Sequence, residues 1–129
     1  MSEATFVRGL VRRLREYGAF VQRIEDSIAR GVPDIFAVLD GQAFWIEAKY
    51  RERWPARAST KVRVGLRPEQ VIWLMDCWDA GGWCYVVLRV GRSETLWFRG
   101  ADARRIADGM TADRLRKIAI EAPENRPPI

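Results

Sequence analysis

GVPDIFAVLDGQAFWIEAK, residues 31–49, decides how the rest of the chain is read. Two apolar runs, residues 32–39 and 43–48, flank Asp40-Gly41. Asp-Gly favours a two-residue type I′ turn, because both central positions need positive φ. A turn that tight fixes the register. Leu39 faces Gln42, Val38 faces Ala43, and counting back places Asp34 opposite Glu47. Residues so opposed have Cβ atoms roughly 4.5–5.5 Å apart. Strand alternation then adds Lys49 to the face of Glu47. Opposed carboxylates repel. Lys49 offsets part of that repulsion, and a divalent cation taking oxygen from both acids offsets more. A solvated ion-pair cluster is the competing reading of such a trio. The place of the acids within apolar strands, joined by a turn of defined register, favours a site.

At these residues the chain resembles a known family. Pro33-Asp34 followed by Glu47-Ala48-Lys49 is similar to the PD-(D/E)XK nuclease signature. Gly31-Val32-Pro33-Asp34, Ile46-Glu47-Ala48-Lys49 and Leu66-Arg67-Pro68-Glu69-Gln70 resemble its VRR-NUC branch more narrowly. That branch is related to archaeal-type Holliday junction resolvases. The resemblance runs from about Glu3 to Val90. It implies an α/β fold, a restriction-endonuclease-like αβββαβ core with a mixed central sheet. It implies a DNA endonuclease acting on branched or four-way junctions. Two cuts related by symmetry favour a homodimer.

Oxygen ligands suit Mg²⁺, with Mn²⁺ as a substitute, and such an ion activates water for phosphodiester hydrolysis. Asp34 and Glu47 are the expected ligands, and Lys49 is expected to orient or activate the water. The resemblance adds the Ala48 backbone carbonyl as a third ligand and places Gln70 beside the site. It also makes Glu3, on the first helix, a candidate for the metal site. A first-turn acid complementing the helix dipole explains Glu3 equally well. Glu25 and Asp26 are further candidates from a loop, where acids are commonly solvated.

The composition narrows the chemistry. The 129 residues suggest one domain over residues 1–120, with a loose tail at 121–129 that holds three prolines. An apolar content of 48% and six tryptophans argue for a folded globule with most of the tryptophans in its core. There is no histidine, which removes histidine bases and Ser-His or Cys-His hydrolysis. Cys77 and Cys84 have neither zinc nor disulfide-framework spacing and read as reduced residues. No run approaches a membrane span and the N-terminus lacks a signal-peptide pattern, so a cytoplasmic place is expected. The small form suits a phage-encoded protein acting in its host.

Net charge is +5 and unevenly spread. Between residues 50 and 67 lie Arg51, Arg53, Arg57, Lys61, Arg63 and Arg67 against Glu52 alone. A basic segment leaving an acid-bearing strand suits a polyanion backbone; a merely solubilising loop is the alternative. Trp54 beside it offers stacking or dimerisation surface.

The remaining elements follow from periodicity. Residues 4–17 repeat at helical spacing, with Ser2 as N-cap and Gly18 as the stop. Arg8, Arg12 and Arg15 line its opposite face, where phosphate contact and a plain wet side are the two readings and the wet side is the default. Residues 19–24 read as a short strand, and 68–80 as a helix begun by Pro68 and ended by Gly81-Gly82. Residues 83–90 suit a central strand and 95–99 a further one. Residues 101–108 and 111–120 read as short helices split by Gly109. Pro33, lacking an N–H, should lie at an edge or unpaired site. A non-catalytic DNA-binding module with the same fold and a restriction-like or exonucleolytic nuclease are the rival functions.

Overall fold

The Asp40-Gly41 turn forms as its chemistry requires, with φ of 52° and 79°. It joins β2 (Ile35–Leu39) to β3 (Gln42–Arg51). Pairing runs from Leu39↔Gln42 and Val38↔Ala43 to Ile35↔Ile46, the register counted from the turn. The computed structural model describes residues 1–24 and 30–121. Glu25 and Asp26, and residues 122–129 of the expected tail, lie outside the described residues.

Around the hairpin, β1 (Phe20–Arg23), β4 (Cys84–Val90) and β5 (Glu94–Arg99) complete a sheet ordered β1-β2-β3-β4-β5. Only β3 and β4 run parallel, which makes the sheet mixed. Parallel neighbours need a long crossover, and α2 (Pro68–Asp79) lies within it. Helix α1 (Glu3–Glu16) precedes β1, and Ser2 caps it by accepting the Thr5 N–H. A 3₁₀ turn (Gly100–Asp102), α3 (Ala103–Asp108) and α4 (Ala112–Ile118) follow β5.

Strand alternation divides the core into two layers. Ile35, Ala37, Phe44, Ile46 and Ala48 pack against Phe6, Leu10 and Leu14 of α1. On the opposite face Val86, Leu88 and Phe98 meet Leu74 of α2 and Ile106 of α3. Strand β4 is apolar except for Arg89 because both its faces are covered. Burial of each such Leu or Val contributes about 1.5–3 kcal/mol.

Several expected boundaries shift for identifiable reasons. Strand β2 starts at Ile35, not residue 32, and Pro33 is left in an unpaired site, as its missing N–H requires. The helix expected over 101–108 begins as the 3₁₀ turn. That expected over 111–120 ends at Ile118, and Ile120 instead bridges to Trp97. Of the six tryptophans only Trp97 is buried; Trp45, Trp54, Trp73, Trp78 and Trp83 are half-buried. Five wide rings exceed what two thin layers beside a five-stranded sheet can enclose.

Candidate active site

Strand β3 carries alternating layers: Phe44, Ile46 and Ala48 turn to α1, while Trp45, Glu47 and Lys49 turn to α2. Glu47 is thereby buried beneath the first turn of α2, with 2% of its surface exposed. Its Oε2 accepts from Gln70 Nε2 at 3.0 Å and pairs with Lys49 Nζ at 3.2 Å. Gln70 holds these groups in place from two sides. Its Oε1 accepts from Lys49 Nζ at 3.3 Å and from the Arg67 backbone N–H at 2.9 Å. The second bond satisfies an orphan N–H at the start of α2. One amide therefore fixes both the helix end and the acid-lysine pair.

Asp34, one residue before β2, reaches the same place from the other side of the hairpin. Its Oδ2 accepts the Ala48 N–H at 3.2 Å. In a strand the N–H and C=O of one residue point to the same side. The Ala48 carbonyl thus faces the edge that Asp34 occupies. Asp34, Glu47, Ala48, Lys49 and Gln70 are brought together, as the sequence leads one to expect.

The electrostatics follow from burial. Desolvation first, then the nearby Asp34 charge, raise the Glu47 carboxyl against the opposing effect of Lys49, and the net result is about 7. Glu47 Oε1 is buried and has no hydrogen-bond partner. A buried carboxylate oxygen without a partner is costly. A cation is what this oxygen lacks, and the oxygen-only donor set suits a hard divalent ion. Among the described residues no group of three acids or cysteines converges tightly enough to hold a metal. The oxygen groups gathered there include two carboxylates and a backbone carbonyl.

Glu3 is exposed and stands apart from the two acids. It lines a neighbouring cleft of about 250 Å³ with Lys49, Tyr50, Arg51 and Arg63. The basic segment is ordered in part by residues that its charge conceals. Val62 and Val64 are buried and bond to the Met110 and Ile106 backbones, which pins an arm over α3. The alternation Lys61-Val62-Arg63-Val64 was the available signal. Arg67 caps α2 and pairs with Glu69 at 3.7 Å. Arg53, Arg57 and Lys61 are exposed. Trp54 is turned inward: its Nε1 donates to Glu94, and the Arg116 guanidinium lies 5.1 Å from its ring centre. It anchors the loop and is not a free stacking platform.

The sequence profile of the archaeal Holliday junction resolvase family, Hjc, matches residues 3–122. The chain belongs to this family. As a member of the resolvase family it is a structure-specific DNA endonuclease acting on Holliday junctions. The family's resolvases are metal-dependent nucleases. No curated protein sequence matches the chain. Among solved structures, Hjc of Archaeoglobus fulgidus, a Holliday junction resolvase from an archaeal hyperthermophile, is similar at a TM-score of 0.65. The match covers 94% of this chain and 95% of that one at 21% identity, a likeness that shows the fold. Among the described residues no helix is long and apolar enough to cross a membrane.

Proposed function

We propose that this resolvase cuts junction DNA with one shared site made by Asp34, Glu47, Ala48 and Lys49, positioned by Gln70, and that Mg²⁺, or Mn²⁺ in its place, is the ion bound there. The observation that carries this reading is Glu47 Oε1, a buried oxygen without a partner beside a second acid. Asp34, Glu47 and the Ala48 carbonyl would hold the ion. Once bound, such an ion supplies a Lewis acid for the phosphate oxygens and lowers the pKa of water. The chain's own groups do the rest. Lys49 presents a cation to the phosphate or to attacking water. Gln70 orients the paired amine and carboxylate by bonding to both. The arginines of the segment that follows hold DNA backbone.

Symmetric cleavage calls for a two-fold dimer. Beside the acids on the α2 face of the sheet runs a chain of ring contacts, Phe20–Phe36, Phe36–Trp45 and Trp45–Trp73. Phe20 is 60% exposed and Ile72 54% exposed. This face is the proposed surface for a second copy, since exposed aromatic surface marks interaction sites. With its two free cysteines, the enzyme is placed by this reading in the cytoplasm.

The test incubates labelled linear, flapped and four-way DNA with protein in Mg²⁺, Mn²⁺ or EDTA, beside Lys49→Ala and Asp34→Asn. Cutting of the four-way substrate that needs metal and both side chains is expected. Cutting that survives EDTA and both substitutions contradicts the mechanism, and tight binding without cutting favours a non-catalytic module.

A further inference from the structure

Strand β3 outlasts its partner. Strand β2 pairs with β3 only as far as Ile46, whereas β4 follows β3 to Arg51. Among the described residues no strand covers the other edge of β3 beyond Glu47. Side chains from both faces of the sheet can meet around that open edge. The cleft shared by Glu3, Lys49, Tyr50, Arg51 and Arg63 lies there. Asp34 and Glu47 do not line it. It begins at Lys49 and runs away from the two acids.

One side chain that faces it is bonded, and the backbone that carries another is anchored. Arg51 Nε donates to the Arg53 carbonyl at 2.9 Å. Arg63 projects from the arm whose neighbours, Val62 and Val64, are buried at 2% and 3% exposure. The arm bonds to Met110 and Ile106 at 2.7–3.0 Å. Arg63 lies over Gly109: a Cβ there would come within 3.2 Å of Arg63 Cγ. Among the described residues, Arg51 and Arg63 have no carboxylate partner. By strand alternation the Tyr50 N–H points to the same open edge as the Ala48 N–H. Two guanidinium groups, one amine and one backbone N–H against a single exposed acid make a seat for an anion.

We infer that this cleft binds the DNA phosphate next to the one that is cut, with Arg63 as its main contact, and so sets which bond lies over Lys49. The inference rests on the nuclease reading above and assigns different work to the basic residues. Arg63 positions the strand for cutting, while Arg53, Arg57 and Lys61 lie outside the cleft.

The experiment measures single-turnover cleavage of a four-way junction at saturating protein with wild type, Arg63→Gln and Arg63→Lys. The junction carries an uncharged methylphosphonate one step to the 5′ or the 3′ side of the cut. At one of these two positions the modification is expected to slow wild type about tenfold or more. Arg63→Gln is expected to slow the unmodified junction by a similar factor and to show no further loss from that modification. It keeps its sensitivity at the other position, and Arg63→Lys recovers part of the rate. Wild type indifferent to both modifications, or Arg63→Gln losing the same additional factor as wild type, overturns the inference and leaves the nuclease reading intact. Wild type that fails to cut unmodified junction overturns the nuclease reading, and this inference with it.

Discussion

At the residue scale the site depends on how few atoms hold Glu47. Lys49 and Gln70 both engage Oε2, which leaves Oε1 without a partner. Removing Lys49 or Asp34 should lower single-turnover cleavage by about 10²–10³-fold while junction affinity in EDTA changes only a few-fold. An equal fall in affinity would instead assign these residues to binding. Gln70→Ala releases the acid, the amine and the α2 N-terminus together, so a loss of about 1–2 kcal/mol in stability should accompany the fall in rate. The acid-base consequence has a definite sign. Glu47 titrates at about 7 when folded, against 4.5 ordinarily. Between those values the metal-free fold binds more protons than the unfolded chain. The stabilisation is fully present below 4.5 and is lost as pH rises through about 7. Thermal melts of metal-free wild type should fall over that window, and Glu47→Gln should flatten the profile; identical slopes would contradict the assignment. Because an ion needs the deprotonated acid, apparent metal affinity should rise toward the same pH and level above it.

At the element scale two glycines of positive φ play different parts. Gly41 turns the hairpin with open space around it, so Gly41→Ala meets backbone strain alone, about 1–2 kcal/mol. Gly31 has φ of 85°, and a Cβ there would sit 2.4 Å from the Glu69 carbonyl oxygen in the first turn of α2. Gly31→Ala must push that turn, and Gln70 moves with it. The expected result is a comparable or larger loss of stability plus a fall in cleavage rate that Gly41→Ala does not share. Equal rates for the two variants would show that the Gly31 contact is not what positions Gln70. These elements also mark how far sequence reading extends. The hairpin and the Asp34–Glu47 meeting were legible because turn chemistry and strand period are local. The Gly31–Glu69 approach was not, since it joins residues far apart in the chain. Nor was the open edge of β3: the apolar run continues past Pro33, and only pairing reveals where β2 stops. The arm of Val62 and Val64 was hidden by the charge around it. Trp54 illustrates the opposite error, an aromatic read as available surface that Glu94 and Arg116 in fact hold.

At the scale of the whole molecule, the ring chain that ends at exposed Phe20 lies on the α2 face of the sheet, whereas the basic segment leaves the sheet after Arg51. Phe20→Asp or Ile72→Asp should shift a dimer toward monomer in sedimentation velocity without unfolding it. Unchanged association in both variants would place the interface elsewhere. Junction affinity should fall steeply with salt, and each basic side chain that contacts phosphate should lower the slope of log affinity against log salt by about one when neutralised. The claim under all of this is that Asp34 and Glu47 share a divalent ion. Titration calorimetry with Mn²⁺ on wild type, Asp34→Asn and Glu47→Gln tests it most directly. Saturable binding by wild type, with proton release below about 7 and loss of binding in both variants, is the predicted result; undiminished binding in both variants would contradict the account.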